Sequence, residues 1–195
     1  IGIRVFENHK QTHIYKHDAD DSKSLSSNEI IALKIQSDSL LWVGTRHDGL
    51  NKINLKTNEV TRVALNNRSD FRVNTLFIDS RDRLWIGTNE GIKILNQDQD
   101  LITIKKNTVD GLSGNDITCF EEDTYGRIWV GTYDGGLNLI STTDQIKSAS
   151  DLKVEHYLPK EDGSSVFNAT IFSLKKDRNG NMWLGTYAGI NFVNP

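Results

Sequence analysis

The chain has 195 residues, with 23 basic and 26 acidic side chains and a formal net charge of −3. At 36% hydrophobic and 25% charged residues it has the balance of a folded domain rather than of a disordered chain. No apolar run is long enough for a membrane helix and no basic cluster suits a phosphate backbone. A single cysteine, Cys119, excludes an internal disulfide and a cysteine-built zinc site.

The chain opens on Ile1-Gly2-Ile3-Arg4-Val5-Phe6, with no initiator Met and no signal-like segment, and reads as cut from a longer polypeptide. His9, His13 and His17 follow at intervals of four, a helical metal-ligand spacing. The segment reads as a strand hairpin, where four residues stretch roughly 13 Å, too far for shared coordination. Asp18, Asp20 and Asp21 lack the central Gly and distal Glu of a calcium loop and read as a polar loop.

From residue 28 onward one phrase recurs. It reads Leu41-Trp42-Val43-Gly44-Thr45, Leu84-Trp85-Ile86-Gly87-Thr88, Ile128-Trp129-Val130-Gly131-Thr132 and Met182-Trp183-Leu184-Gly185-Thr186. The Trp spacings are 43, 44 and 54, the last enlarged by a polar insertion within 141–165. Six residues before each Trp stands Gln36, Asp79, Asp123 or Asp177, opening a tetrapeptide that closes in Ser39, Asp82, Gly126 or Gly180. After each Trp comes a Gly-apolar pair (Gly49-Leu50, Gly91-Ile92, Gly136-Leu137, Gly189-Ile190), which Gly2-Ile3 repeats. Asn28, Asn74, Asn115 and Asn168 precede the units.

Between these landmarks run short, alternating, β-branched segments, which predict four strands per unit. The first is typified by Ile30–Gln36, the second carries the Trp phrase, the third is typified by 49–55 and the fourth by 60–65. The Asp-x-x-Gly tetrapeptide is predicted as the hairpin turn between first and second strands. Four antiparallel strands repeated every 43–54 residues predict an all-β fold, a β-propeller of four-stranded antiparallel blades. The repeats divide at 1–27 (partial), 28–72, 73–114, 115–166 and 167–195 (partial), within one propeller segment. About four blades are expected here, as part of a larger ring of about seven blades, a closed four-bladed ring being the alternative. Trp42, Trp85, Trp129 and Trp183 are expected as wedges between blades, with Gly44, Gly87, Gly131 and Gly185 admitting the adjacent blade's backbone.

The phrase Asp123-x-x-Gly126-x-Ile128-Trp129-Val130-Gly131-Thr132-x-x-x-Gly136-Leu137 resembles the two-component regulator propeller repeat, and Leu84-Trp85-Ile86-Gly87-Thr88-x-x-Gly91-Ile92 carries the same pattern. Gln36 and Ser39 depart from it in the first complete blade. The resemblance implies the periplasmic sensor region of a hybrid two-component histidine kinase of Bacteroides type, commonly detecting glycan breakdown products and controlling polysaccharide-utilisation genes. It implies as partners an oligosaccharide or other small ligand, the rest of the propeller and a following β-sandwich in the same parent chain, and a second copy in a homodimer of the parent. Kinase chemistry would lie outside these residues. No cofactor or metal is expected, and no nucleic-acid or membrane contact in this region.

Catalytic constellations are not evident. Gly111-Leu112-Ser113-Gly114-Asn115 leads into a strand and lacks the Lys-Ser/Thr ending of a phosphate loop, and Cys119 sits in an apolar strand where an inert thiol is expected. Topology directs attention to one rim instead. In an up-and-down blade the loop entering the first strand and the loop joining second to third strands share an end. That end gathers Arg46, His47, Asp48, Asn89, Glu90, Tyr133, Asp134 and Tyr187 as candidate ligand residues. Charged and amide groups suit sugar hydroxyls and Tyr rings suit apolar sugar faces. The asparagines read as turn residues that satisfy backbone groups. A protein-docking scaffold and a propeller lyase or hydrolase are the alternative functions.

Overall fold

The computed structural model describes residues 2–65, 71–96, 100–106 and 111–195. It is all-β apart from one short 3-10 turn, Ala149–Asp151. A two-stranded hairpin comes first, β1 (Ile3–Glu7) with β2 (Lys10–Tyr15). A four-stranded meander follows: β3 (Ile30–Ser37), β4 (Leu40–Thr45), β5 (Leu50–Asn54) and β6 (Val60–Val63). The second meander is β7 (Val73–Ile78), β8 (Leu84–Thr88), β9 (Gly91–Leu95) and β10 (Leu101–Ile104). The third is β11 (Ile117–Glu122), β12 (Ile128–Thr132), β13 (Leu137–Ser141) and β14 (Lys153–Tyr157). Three strands close the series, β15 (Ile171–Lys176), β16 (Met182–Thr186) and β17 (Gly189–Val193). Every sheet follows chain order, each strand hydrogen-bonded to the next, as propeller blades require. Residues group into two compact units, Ile1–Leu76 and Phe77–Pro195, the division falling inside β7.

The Trp phrase makes the second strand of each blade apolar on both sides, and it is buried accordingly. All five residues of β8 and of β12 are buried. In the second unit Trp85 packs with Ile94, Ile104, Ile117, Phe120 and Val130, its ring 6.2 Å from that of Phe120. Trp129 packs with Leu139, Ile171, Leu174 and Leu184. In the first unit Tyr15, Leu25, Val43, Ile53 and Val60 form a core of their own. The fourth Trp departs from expectation. Trp183 is 44% exposed and stacks edge-on against Phe192 at 4.9 Å.

The hairpin turns do more than the sequence alone suggests. Asp79 Oδ1 accepts the backbone N–H groups of Arg81 and Arg83, while its Oδ2 accepts the Trp85 indole N–H at 2.8 Å and Arg83 Nε at 2.6 Å. Asp123 repeats the set with Tyr125, Arg127 and Trp129, and Asp177 with Asn179, Asn181 and Trp183. Gln36, one methylene longer, still reaches the Trp42 indole at 2.7 Å. The six-residue spacing therefore reflects a side-chain bond across the hairpin. The turn's left-handed residue is Gly126 or Gly180 in two blades and Asp82 in a third.

The glycine of Trp-x-Gly-Thr is required by close approach, but mainly of side chains rather than of backbone. A Cβ on Gly44 would meet Val73 Cγ1 at 2.6 Å, and one on Gly131 would meet Cys119 Sγ at 2.6 Å and Ile171 at 3.0 Å. Bulges at the start of β3, β11 and β15 also lie outside what alternation predicts. The polar insertion sits chiefly between β13 and β14, where residues 142–152 replace the five-residue connections 55–59 and 96–100 of the two preceding blades.

Candidate functional site

The loop from second to third strand is built from the motif threonine. Thr45, Thr88, Thr132 and Thr186 each donate their hydroxyl to the carbonyl of the following glycine (Gly49, Gly91, Gly136 and Gly189) at 2.7–2.9 Å. Each hydroxyl also accepts a backbone N–H from within the loop, from Asp48, Glu90, Gly135 and Ala188 respectively. The frame uses main chain and one threonine hydroxyl, so exposed residues inside it such as Arg46, His47, Tyr133 and Tyr187 are not needed to close it, whereas Gly135 is buried against Ser113 and Gly114. These threonines were not singled out as site-builders from sequence, although their fixed place after each Trp-x-Gly was the available signal.

In the first unit the frame displays Arg46, His47 and Asp48, all exposed. Arg46 Nε lies 3.1 Å from Glu29 Oε2, and His47 Nε2 lies 3.9 Å from the same oxygen. All three side chains are at least half exposed, so the cluster is a solvent-screened surface pair of small energy. A carboxylate ligand here would compete with Glu29.

In the second unit five candidate residues lie along one stitched rim. Gly91 N–H donates to Asn115 O at 2.7 Å, and Tyr133 N–H donates to Asp116 O at 2.9 Å. Gly136 N–H donates to Ala169 O, the Thr170 hydroxyl donates to Tyr133 O, and Tyr187 N–H donates to Thr170 O at 3.2 Å. Asn89, Glu90, Tyr133, Asp134 and Tyr187 are carried on these stitched loops. Glu90 is 3.6 Å from Lys105 Nζ, and Asp134 is exposed beside Tyr133. Tyr133 is 56% and Tyr187 79% exposed, with the Phe172 ring 6.4 Å from that of Tyr187.

The asparagines serve the backbone. Asn28 Oδ1 accepts His17 N–H, Asn115 Oδ1 accepts Lys106 N–H, and Asn168 Oδ1 accepts Thr170 N–H. A second set escaped the sequence reading. Asn51, Asn138 and Asn191 accept the N–H of Ser26, Ser113 and Phe167, pinning the approach to each first strand. Their signal was an Asn two places after the third-strand glycine in three units.

Two histidines are spent on structure, His17 Nδ1 lying 2.7 Å from Leu25 O and His156 Nε2 2.8 Å from Gly111 O. The acidic loop folds around Ser24 and Arg62, whose guanidinium donates to Asp18 O and Asp21 O. Among the described residues no group of three or more His, Cys, Asp or Glu side chains could hold a metal ion. Burial pushes the Cys119 thiol up to about 11, against weaker opposing hydrogen bonds from Thr118 and Gly131. At pH 8 almost no thiolate exists in the folded chain, so labelling by a disulfide reagent should be slow and should track unfolding in urea. Rapid labelling of the folded chain would show that Cys119 is neither shielded nor suppressed.

The two-component regulator propeller family model matches residues 68–90, 111–134 and 165–188. Histidine kinase P4 of Formosa agariphila is 30% identical over 200 residues, a match covering 98% of this chain and 14% of that protein. This chain therefore spans about one seventh of the curated relative. The extracellular domain of the putative hybrid two component system BT4673 from B. thetaiotaomicron superposes with a TM-score of 0.76 at 22% identity, over 97% of this chain and 24% of that one. Virginiamycin B lyase from Staphylococcus aureus gives 0.59 at 18% identity, over 84% of this chain and 55% of that one. At these identities both structures bear on the fold alone. With its blades and repeat phrases in place, the chain carries two-component regulator propeller repeats over the three matched stretches.

Proposed function

We propose that this chain is a ligand-sensing propeller segment in the extracytoplasmic, periplasmic region of a hybrid two-component sensor histidine kinase. It detects an oligosaccharide, acts as a homodimer with the rest of the propeller and a following β-sandwich, and regulates polysaccharide-utilisation genes. The segment itself binds and does not catalyse. The observation that carries this reading is the rim of the second unit, where Tyr133 and Tyr187 stand exposed although their backbones are clamped through Thr170. Rigid backbones presenting exposed rings lower the ordering cost of binding, and the ring faces match the apolar faces of sugars.

The test is a thermal-shift panel of defined oligosaccharides against the chain, with Tyr133→Ala/Tyr187→Ala beside it. A ligand at a hundred times its dissociation constant should stabilise the chain by about 2.7 kcal/mol. The double variant should keep its unliganded melting temperature and lose at least about tenfold in affinity, the scale of a lost stacking contact. Equal affinity in the double variant would remove the rim from the reading, and silence across the panel would remove the sugar.

A further inference from the structure

We propose a second ligand site at the opposite end of the sheets in the second unit, for a sugar acid: a small polyol bearing one carboxylate. It does not rest on the tyrosine rim. It lies where the β13–β14 connection, residues 142–152, faces the β7–β8 turn, and Asp144, Gln145 and Lys147 join Arg81, Asn96 and Asp100 in lining an open cleft of about 780 Å³. That volume falls in the range of small-molecule sites, roughly 300–1,000 Å³.

This connection is the long one of its kind, and it is held in place by many bonds. Ile146 and Leu152 are buried in the core shared with Trp85. Arg83, only 3% exposed, donates from its two terminal nitrogens to Thr143 O and to Thr142 Oγ1. Asn96 Nδ2 reaches Ile146 O at 3.4 Å, and Asp151 Oδ2 accepts the N–H groups of Lys147 and Ser148 at 2.8 and 2.9 Å. An extended loop fixed this firmly is a preorganised wall.

The lining specifies the ligand class. Arg81 and Lys147 offer positive charge, Asp100 offers an acceptor, and Gln145 offers both donor and acceptor. One carboxylate matches the cations, and the polyol hydroxyls match Asp100 as donors. A compact dianion such as hydrogen phosphate would meet two carboxylates with only one proton to give them. Arg81 Nε lies 3.0 Å from Asp144 Oδ1, and the Asp144 side chain is 93% exposed. Asp144 is thus a surface carboxylate occupying the place at Arg81 that a ligand carboxylate would take.

Calorimetric titration of the chain with D-galacturonate tests this, with D-galactose and inorganic phosphate as comparison probes. Galacturonate should bind in preference to both. Arg81→Ala and Lys147→Ala should each weaken it about tenfold, one charge-assisted hydrogen bond's worth. Asp144→Asn should tighten it several-fold, a gain that no folding defect imitates, while Tyr133→Ala/Tyr187→Ala should leave it unchanged. The proposal is overturned by no binding at about 10 mM, weaker than any affinity useful to a sensor. Equal binding of galactose, tighter binding of phosphate, or indifference to Arg81→Ala and Lys147→Ala would overturn it as well. Loss of galacturonate binding in the tyrosine variant alone would assign that binding to the rim instead.

Discussion

Asp79→Ala is expected to destabilise the chain by about 3–5 kcal/mol, the usual cost of removing one partner from a buried ion pair. Asp79 is 4% and Arg83 3% exposed, so the guanidinium left behind cannot turn to water. The Trp85 indole N–H, fully buried, loses its acceptor in the same stroke. Urea unfolding would read the loss as a lower midpoint with an unchanged slope. Adding Arg83→Met to Asp79→Ala should recover part of it, because the stranded charge goes too. Asp177→Ala should cost clearly less, since Trp183 is half exposed and water can replace the carboxylate. A cost for Asp79→Ala as small as for a surface mutation would mean that the hairpin carboxylate is ornamental.

Acid should weaken the same device at Asp123. Burial works to raise its pKa, but bonds from the Trp129 indole and from Arg127 and Tyr125 prevail and hold it below the ordinary aspartate range. The folded chain therefore binds fewer protons than the unfolded one as pH falls through about 3.9. Its stabilisation is present above that value and lost below it.

Gly91→Ala is expected to cost about 3 kcal/mol, combining left-handed backbone strain with overpacking. Gly91 has φ +106°, and a Cβ there would stand 2.3 Å from the carbonyl oxygen of Ile104. Backbone cannot step aside as a side-chain tip can. Gly136 faces Tyr157 O in the same way at 2.5 Å, so the clash belongs to the blade design, third strand against the end of the fourth. Gly189 supplies the control. It shares a positive φ but has nothing within 4 Å of the would-be Cβ, and Gly189→Ala should carry the strain alone. Equal midpoints for the two variants would refute the steric part of the argument.

The blades were legible in the sequence because a 43- or 44-residue echo of Trp-x-Gly-Thr marks the second strand, and alternation around it marks the others. The face assignment of Tyr133 and Tyr187 followed from counting strands. What stayed hidden depends on atoms meeting across space. The indole-to-aspartate bond looks like mere spacing until the hairpin is folded. The bulges at Ile31, Thr118 and Phe172 break an alternation that reads as regular. Glu29 stands seventeen residues from Arg46, and only the β3–β4 pairing brings its carboxylate to that guanidinium. The cleft beside 142–152 was invisible for a similar reason: an insertion can be counted, but what it faces cannot.

The threonine clamp has a consequence for how such proteins diversify. It spans two residues in Thr88–Gly91 and Thr186–Gly189 and three in Thr45–Gly49 and Thr132–Gly136, closing with the same hydroxyl-to-carbonyl bond each time. Each blade is in effect a socket with interchangeable contents. Its exposed positions, Arg46 and His47, Tyr133 and Asp134, or Tyr187, can change, while Gly135 is fixed by the backbone of Ser113 and Gly114, which a Cβ would meet at 2.5–2.7 Å, and one blade can lose or gain a residue while its neighbours keep register. Recognition can thus be rewritten blade by blade at almost no expense in stability, much as letters are changed in a line of movable type.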